Sequence, residues 1–106
     1  MATSPDFIEY VCDQIADTGM VRHRKMFGEY MAYVNDKPLL LVCDDTVFVK
    51  IKPELDELLQ NAERGVPYKG AKEHYLVDVD NRGLLQEIIT ILEPITPLPK
   101  PRKKKQ

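Results

Sequence analysis

The sequence predicts an α+β domain: an antiparallel sheet of about five strands with helices packed on one face. Three observations carry that prediction. Apolar residues recur at helical spacing near the N-terminus, alternate at strand spacing through much of residues 20–52, and return to helical spacing over residues 84–92. The expected order is helix, β-meander, helix, strand, helix.

The first helix starts near Thr3 or Ser4, with Pro5 in its first turn, where a missing N–H costs nothing. Thr3 and Asp6 have the spacing of a capping box. Phe7, Val11 and Ile15, with Ile8 beside them, form one apolar face, and Gly19 supplies a stop. In the β region, Tyr30, Ala32 and Val34 alternate with Met31 and Tyr33, and Asn35-Asp36 marks a hairpin turn. The unbroken apolar run 39–43 suggests a strand covered on both faces. After a turn at Asp44-Asp45, Val47, Val49 and Ile51 face one way while Phe48, Lys50 and Lys52 face the other.

Pro53 and Glu54 open a second helix with Leu55, Leu58, Leu59 and Ala62 on its buried side. Residues 65–70 read as a loop and residues 73–79 as a last strand. Asp80 or Asn81 then caps a third helix, whose stripe is Leu84, Leu85, Ile88, Ile89 and Leu92 and which Pro94 ends. Residues 1–93 thus form the folded domain, and residues 94–106, proline-rich and then basic, form an extended or disordered tail. Met31, Tyr33 and Phe48 are left over on the sheet, to cover a second face or to pair with another subunit.

Composition narrows the function classes. All 17 acids lie in residues 1–99 with only 10 of the 15 Lys and Arg, so this body carries −7, while the last seven residues carry +5. An acidic body repels a phosphate backbone, which leaves the tail as the one nucleic-acid candidate, through Lys100, Arg102, Lys103, Lys104 and Lys105. No apolar stretch approaches the ~20 residues that span a bilayer, and the N-terminus lacks a secretory signal pattern. With no CxxC pair and no disulfide framework, Cys12 and Cys43 suit a reducing cytoplasm and read as small buried hydrophobes. No membrane partner is expected.

Catalytic signatures are sparse. The chain has no G-x-S-x-G, no Walker lysine and no dinucleotide-binding glycine pattern. A Cys–His pair would have to be assembled from Cys12 or Cys43 with His23 or His74, which nothing in their spacing requires. Asp78, Asp80 and Gly83 have the spacing of a calcium loop, but Arg82 and Ile89 stand where oxygen ligands are needed. The scattered cysteines and histidines match no zinc spacing. The expectation is a protein that is not an enzyme and holds no metal or cofactor. The segment "PLPKPR" has the form of a polyproline ligand with a basic flank, or of a stiff charged spacer.

The stretch "RHRKMFGEY", residues 22–30, crowds three cations before an apolar pair and a glycine. In a strand over residues 21–26, Arg22, Arg24 and Met26 share one face and Val21, His23 and Lys25 the other. The arginines could contact an anion, or pair with helix-one acids such as Glu9, Asp13 or Asp17. Gly28 marks a bulge or bend. On physical grounds the structural reading is preferred.

The same residues carry a family resemblance. The stretch "RKMFGEYMAYVNDKPLLLVCDDTVFVK" resembles the N-terminal domain of the TfoX/Sxy competence regulators, through Arg24, Met26, Phe27, Gly28, Tyr33, Val34, Asp45, Phe48 and Lys50. Farther on, Pro67, Tyr68 and Tyr75 are similar to the family's Pro-aromatic segment and the aromatic strand after it. Where many members carry a second glycine, this chain has Glu29. The resemblance covers about residues 6–92, so the expectation is a stand-alone N-terminal domain without the regulators' separate helical C-terminal domain. It implies an α+β domain without known catalytic residues that serves transcriptional regulation through partners. Met26, Phe27 and Gly28 then become a fold signature, and Arg22, Arg24 and Lys25 the candidate partner-binding surface.

The leading expectation is therefore a non-enzymatic, cytoplasmic regulatory or adaptor domain that binds a protein partner, with room for a homodimer. The alternatives are a weak nucleic-acid binder working through its tail and, third, a small enzyme using Cys43 or His23.

Overall fold

Ser4 opens the first helix, α1 (Pro5–Gln14), its hydroxyl oxygen accepting the Phe7 N–H at 3.2 Å. The computed structural model describes residues 3–26 and 29–98, apart from the Met26 side chain. The expected Thr3–Asp6 capping box does not form. Thr3 instead donates its hydroxyl to the Glu29 carboxylate at 2.7 Å, a charge-assisted bond stronger than a cap. Past Gln14 the chain tightens into a 3₁₀ turn, Ala16–Thr18, and leaves helical geometry at Gly19. A Cβ at Gly19 would stand 2.9 Å from both side-chain polar atoms of Asn35, so the close approach demands glycine. Asn35 uses that proximity, accepting the Met20 N–H on its side-chain oxygen at 3.0 Å.

Four strands then run as a meander: β1 (Val21–Met26), β2 (Glu29–Val34), β3 (Lys37–Cys43) and β4 (Thr46–Lys50). Both predicted hairpin turns are present, with positive φ at Asn35 (52°), Asp36 (68°), Asp44 (52°) and Asp45 (54°). Two successive left-handed residues are what a two-residue turn needs to match the strands' twist, and Asn and Asp tolerate that conformation. The β2–β3 register slips at Ala32/Tyr33: Ala32 faces Leu40, but Tyr33 faces Pro38. Leu39 is the extra residue of this bulge.

The predicted second helix is a shorter structure, a 3₁₀ turn at Pro53–Leu55 followed by hydrogen-bonded turns to Asn61. Its buried side is as expected, with Leu55 and Leu59 in the core and Leu58 and Ala62 packed against it. So short a segment gains little from propagating an α-helix once the costly nucleus is formed, and tertiary packing sets its backbone. Where a loop was expected at residues 65–70, Arg64–Gly65 form a two-residue strand, β5, on β6 (His74–Val77). The sheet thus has six antiparallel strands in the order β1-β2-β3-β4-β6-β5.

Asn81 caps the last helix, α2 (Arg82–Ile95), accepting the Leu84 N–H at 3.1 Å. That helix runs through Pro94 and ends one residue later. Its last turn contains no basic residue, and Lys37 from β3 supplies the charge: its ammonium donates to the Glu93 carbonyl at 2.7 Å and pairs with the Glu93 carboxylate at 3.1 Å. The Lys37 contact, with a longer hydrogen bond from the Asn35 side-chain amide at 3.5 Å, holds the Glu93 carboxyl below its ordinary range.

Both helices pack on one face. Ile8, Val11 and Ile15 of the first segment and Leu85, Ile88, Ile89 and Leu92 of α2 join Ala32, Val34, Leu40, Val42, Val47, Val49 and Tyr75 in one core. This inner face leaves the other side of every strand, the outer face, without a helix.

Candidate functional site

The residues expected to meet a partner lie at the margin of the sheet. β1 has a strand neighbour on one side, β2, and residues 22–25 are all exposed. As the alternation required, Arg22 and Arg24 face outward opposite Tyr33 and Met31, while Lys25 has the opposite parity, across from Tyr30. The helix-one acids are not their partners, because that helix covers the inner face. Arg22 donates instead to Asp36 at 3.1 Å, from the neighbouring hairpin turn, and its guanidinium lies 4.7 Å above the Tyr33 ring. Asp17 pairs with Arg82 at 3.0 Å. Phe27, Gly28 and the tail cations Lys100, Arg102, Lys103, Lys104 and Lys105 lie outside the described residues, as does the side chain of Met26.

Glu29, at the start of β2, organises one end of the sheet. A single carboxylate oxygen accepts from the Thr3 N–H (3.2 Å), the Thr3 hydroxyl (2.7 Å) and the Asp44 N–H (3.0 Å). The Asp45 N–H reaches the Thr3 oxygen at 3.2 Å, and the Ser4 N–H reaches the Asp45 carboxylate at 3.0 Å. Thr3 is buried, so the network ties the start of α1 to the β3–β4 turn. The residue that departs from the family's glycine pattern is a structural tie.

The two cysteines are held in unreactive settings. Burial, with Asp13 and Glu9 adding to it, pushes the Cys12 thiol up to about 11. Burial likewise pushes Cys43 up to about 11, helped by Glu29 and Asp44. A thiol in that range stays protonated at neutral pH and is a poor nucleophile. His23 packs edge-on to Tyr30 at 5.4 Å, and the His74 Nδ1–H donates to the Lys72 carbonyl at 2.8 Å. Among the described residues no Cys–His hydrogen bond is formed and no group of three His, Cys, Asp or Glu side chains is placed to hold a metal. No helix among them is long and apolar enough to cross a membrane. Asp78 and Asp80 serve their own turn, Asp78 accepting the Asp80 N–H at 3.0 Å, and Asp80 also accepts the Tyr10 hydroxyl at 2.7 Å.

Sequence reasoning set Met31, Tyr33 and Phe48 on a second face but did not join Leu41 and Leu76 to them as one row. The register sets Arg24 beside Met31, Met31 beside Leu41, Leu41 beside Phe48 and Phe48 beside Leu76. The signal was present in the alternation of Phe48, Lys50 and Lys52 and in Met31, left over on the sheet. The loop after β5, together with Leu92, Thr96 and Pro97 at the end of α2, stands against this row and leaves a groove of about 630 Å³.

An antiparallel sheet with both helices packed on one face defines a small α+β domain. The chain belongs to the TfoX N-terminal domain family, whose model matches residues 13–83. It is also 36% identical over 107 residues to a protein of Spirochaeta aurantia described as an uncharacterized 12.7 kDa protein in the trpE 5′ region, with 99% of this chain and 93% of that protein covered.

Proposed function

We propose that the chain is a non-enzymatic regulatory or adaptor domain of the cytoplasm that binds a protein partner through β1, with Arg22, Arg24 and Lys25 as the contact residues. One observation carries this reading: β1 is an edge strand whose four central residues are exposed and carry three of the body's ten Lys and Arg residues. An open edge offers unpaired backbone N–H and C=O groups to an added strand, and its side chains select which strand is accepted. Pairing with a second copy of β1 would bring like charges together, whereas an acidic strand is favoured. A role in transcriptional regulation follows from the family resemblance.

The test is capture of partners by the intact protein and by the double variant Arg22→Glu/Arg24→Glu. Loss of capture with an unchanged melting curve is expected. Capture of the same proteins by both forms removes β1 from consideration. A second reading rests on the +5 carried by the last seven residues, a salt-sensitive nucleic-acid arm. It predicts that truncation after Leu98 abolishes oligonucleotide binding and that added salt weakens it steeply.

A further inference from the structure

The groove on the outer face combines an apolar floor with a cationic rim. Met31, Leu41 and Phe48 line its floor, and Lys50, Lys52 and Lys72 its rim. No acidic residue lines it among the described residues; Glu73 lines the adjoining depression beside Lys50, Lys52 and Lys72. Three of the ten cations in a body of net charge −7 therefore converge on one apolar cleft. Tyr68 stands at the edge, 58% exposed, an amphipathic aromatic of the kind that anchors protein interfaces. Met31 adds a flexible side chain that fits differently shaped apolar groups.

We propose that this groove binds a short acidic amphipathic segment of a protein partner, its apolar side chains on Met31, Leu41 and Phe48 and its carboxylates on Lys50, Lys52 and Lys72. The proposal rests on the reading of the chain as a partner-binding domain and names a second surface and the chemistry it selects. Charge complementarity decides the occupant. Thr96 and Pro97, which lead toward the last seven residues, line the groove, but those residues carry +5 and do not complement a lysine rim. The α1 helix of a second copy carries acids, but its apolar stripe is already buried in its own core. A nucleic acid carries far more negative charge than a short peptide, and the body's net charge of −7 opposes such a polyanion. A peptide with a few carboxylates and one or two apolar anchors satisfies both the floor and the rim.

The probe is a short fluorescein-labelled peptide of Glu and Asp interspersed with Leu and Phe, titrated by anisotropy into the full chain at near-physiological salt. Two control peptides carry Lys for the acids or Ser for the apolar residues. Expected results are saturable binding of the acidic amphipathic peptide alone, a shift of the Met31 methyl NMR resonance on saturation, and binding at least about tenfold weaker in Lys50→Glu/Lys72→Glu. Both substitutions replace one charged side chain with another at the rim, and the melting curve of the variant checks its fold. The proposal is overturned by equal binding of the Ser control, by an unmoved Met31 resonance, by an unchanged affinity in the lysine variant, or by a single-stranded oligonucleotide that competes more tightly than the peptide. Absent peptide binding together with intact capture through β1 overturns the groove and leaves the edge-strand reading standing. Peptide binding without β1-dependent capture does the reverse.

Discussion

Leu40 and Leu41 are adjacent in β3 and lie on opposite faces of the sheet. Leu40 is fully buried among the helices, with Ala32 beside it in the ladder. Leu41 sits between Met31 and Phe48, half-buried at the floor of an open groove. The two share chemistry, strand and neighbours in sequence, so the difference comes wholly from what covers each face. The inner face has α1 and α2, whose apolar stripes supply the covering. The outer face has the loop after β5 and, at one end of its groove, Leu92, Thr96 and Pro97 from the end of α2, and its row of Met31, Leu41 and Leu76 stays half-buried. A domain could finish this face with polar residues at no cost to its core. That it does not do so is the basis of the groove proposal.

The comparison breaks most sharply under paired truncation. Leu40→Ala is expected to cost about 3 kcal/mol in denaturant unfolding, from lost burial plus a cavity. Leu41→Ala loses only part of the transfer term and is expected to cost roughly 1 kcal/mol. Equal losses would mean that the outer face is as much a core as the inner one, and the recognition reading would lose its basis. An effect between those two is expected at the corner where the N-terminal chain joins the sheet. Glu29→Ala leaves the Thr3 hydroxyl and two backbone N–H groups without their acceptor and is expected to cost about 2 kcal/mol. Glycine at this position, which many members of the resembled family carry, should fall short of wild type by a similar amount.

The smallest effect concerns Lys37, which reaches from the strand layer to the end of α2. Glu93 has its folded-state pKa lowered by its hydrogen bond from Lys37. Its contribution is therefore fully present above the unfolded carboxyl pKa and is lost as pH falls through the folded value. Stability of the native chain should show a small acid-side decline that Glu93→Gln removes, read from melting temperatures across the acid range. A decline that survives the substitution would assign it to other carboxylates.

Much of this fold is written in local pattern. The two turn signals, Asn35-Asp36 and Asp44-Asp45, sit where left-handed residues are needed, and both hairpins form there. The apolar stripes of α1 and α2 bury the residues that their spacing selects. Local pattern fails where the chain is short of periods. The Leu55–Leu59 segment repeats too briefly to separate an α-helix from a tighter turn, although its buried side is right. Arg64–Gly65 has no alternation at all, and only the ladder with β6 makes it a strand. Thr3 had the spacing of a cap, but a carboxylate from 26 positions away outbid the helix end for its hydroxyl.

The candidate site divides along the same line. Alternation by itself determined that Arg22 and Arg24 share a face and that Lys25 does not, because side-chain direction in a strand has period two. It also determined that Phe48 and Lys50 point away from Val47 and Val49. Only the tertiary structure decided that β1 is an edge, that Met31, Leu41, Phe48 and Leu76 form one row, and that Lys72 from a distant loop joins Lys50 over it. Strand order and register are set by pairings between residues far apart in the chain. Each is stabilised by burial summed over a whole face, and no short window of sequence contains that sum.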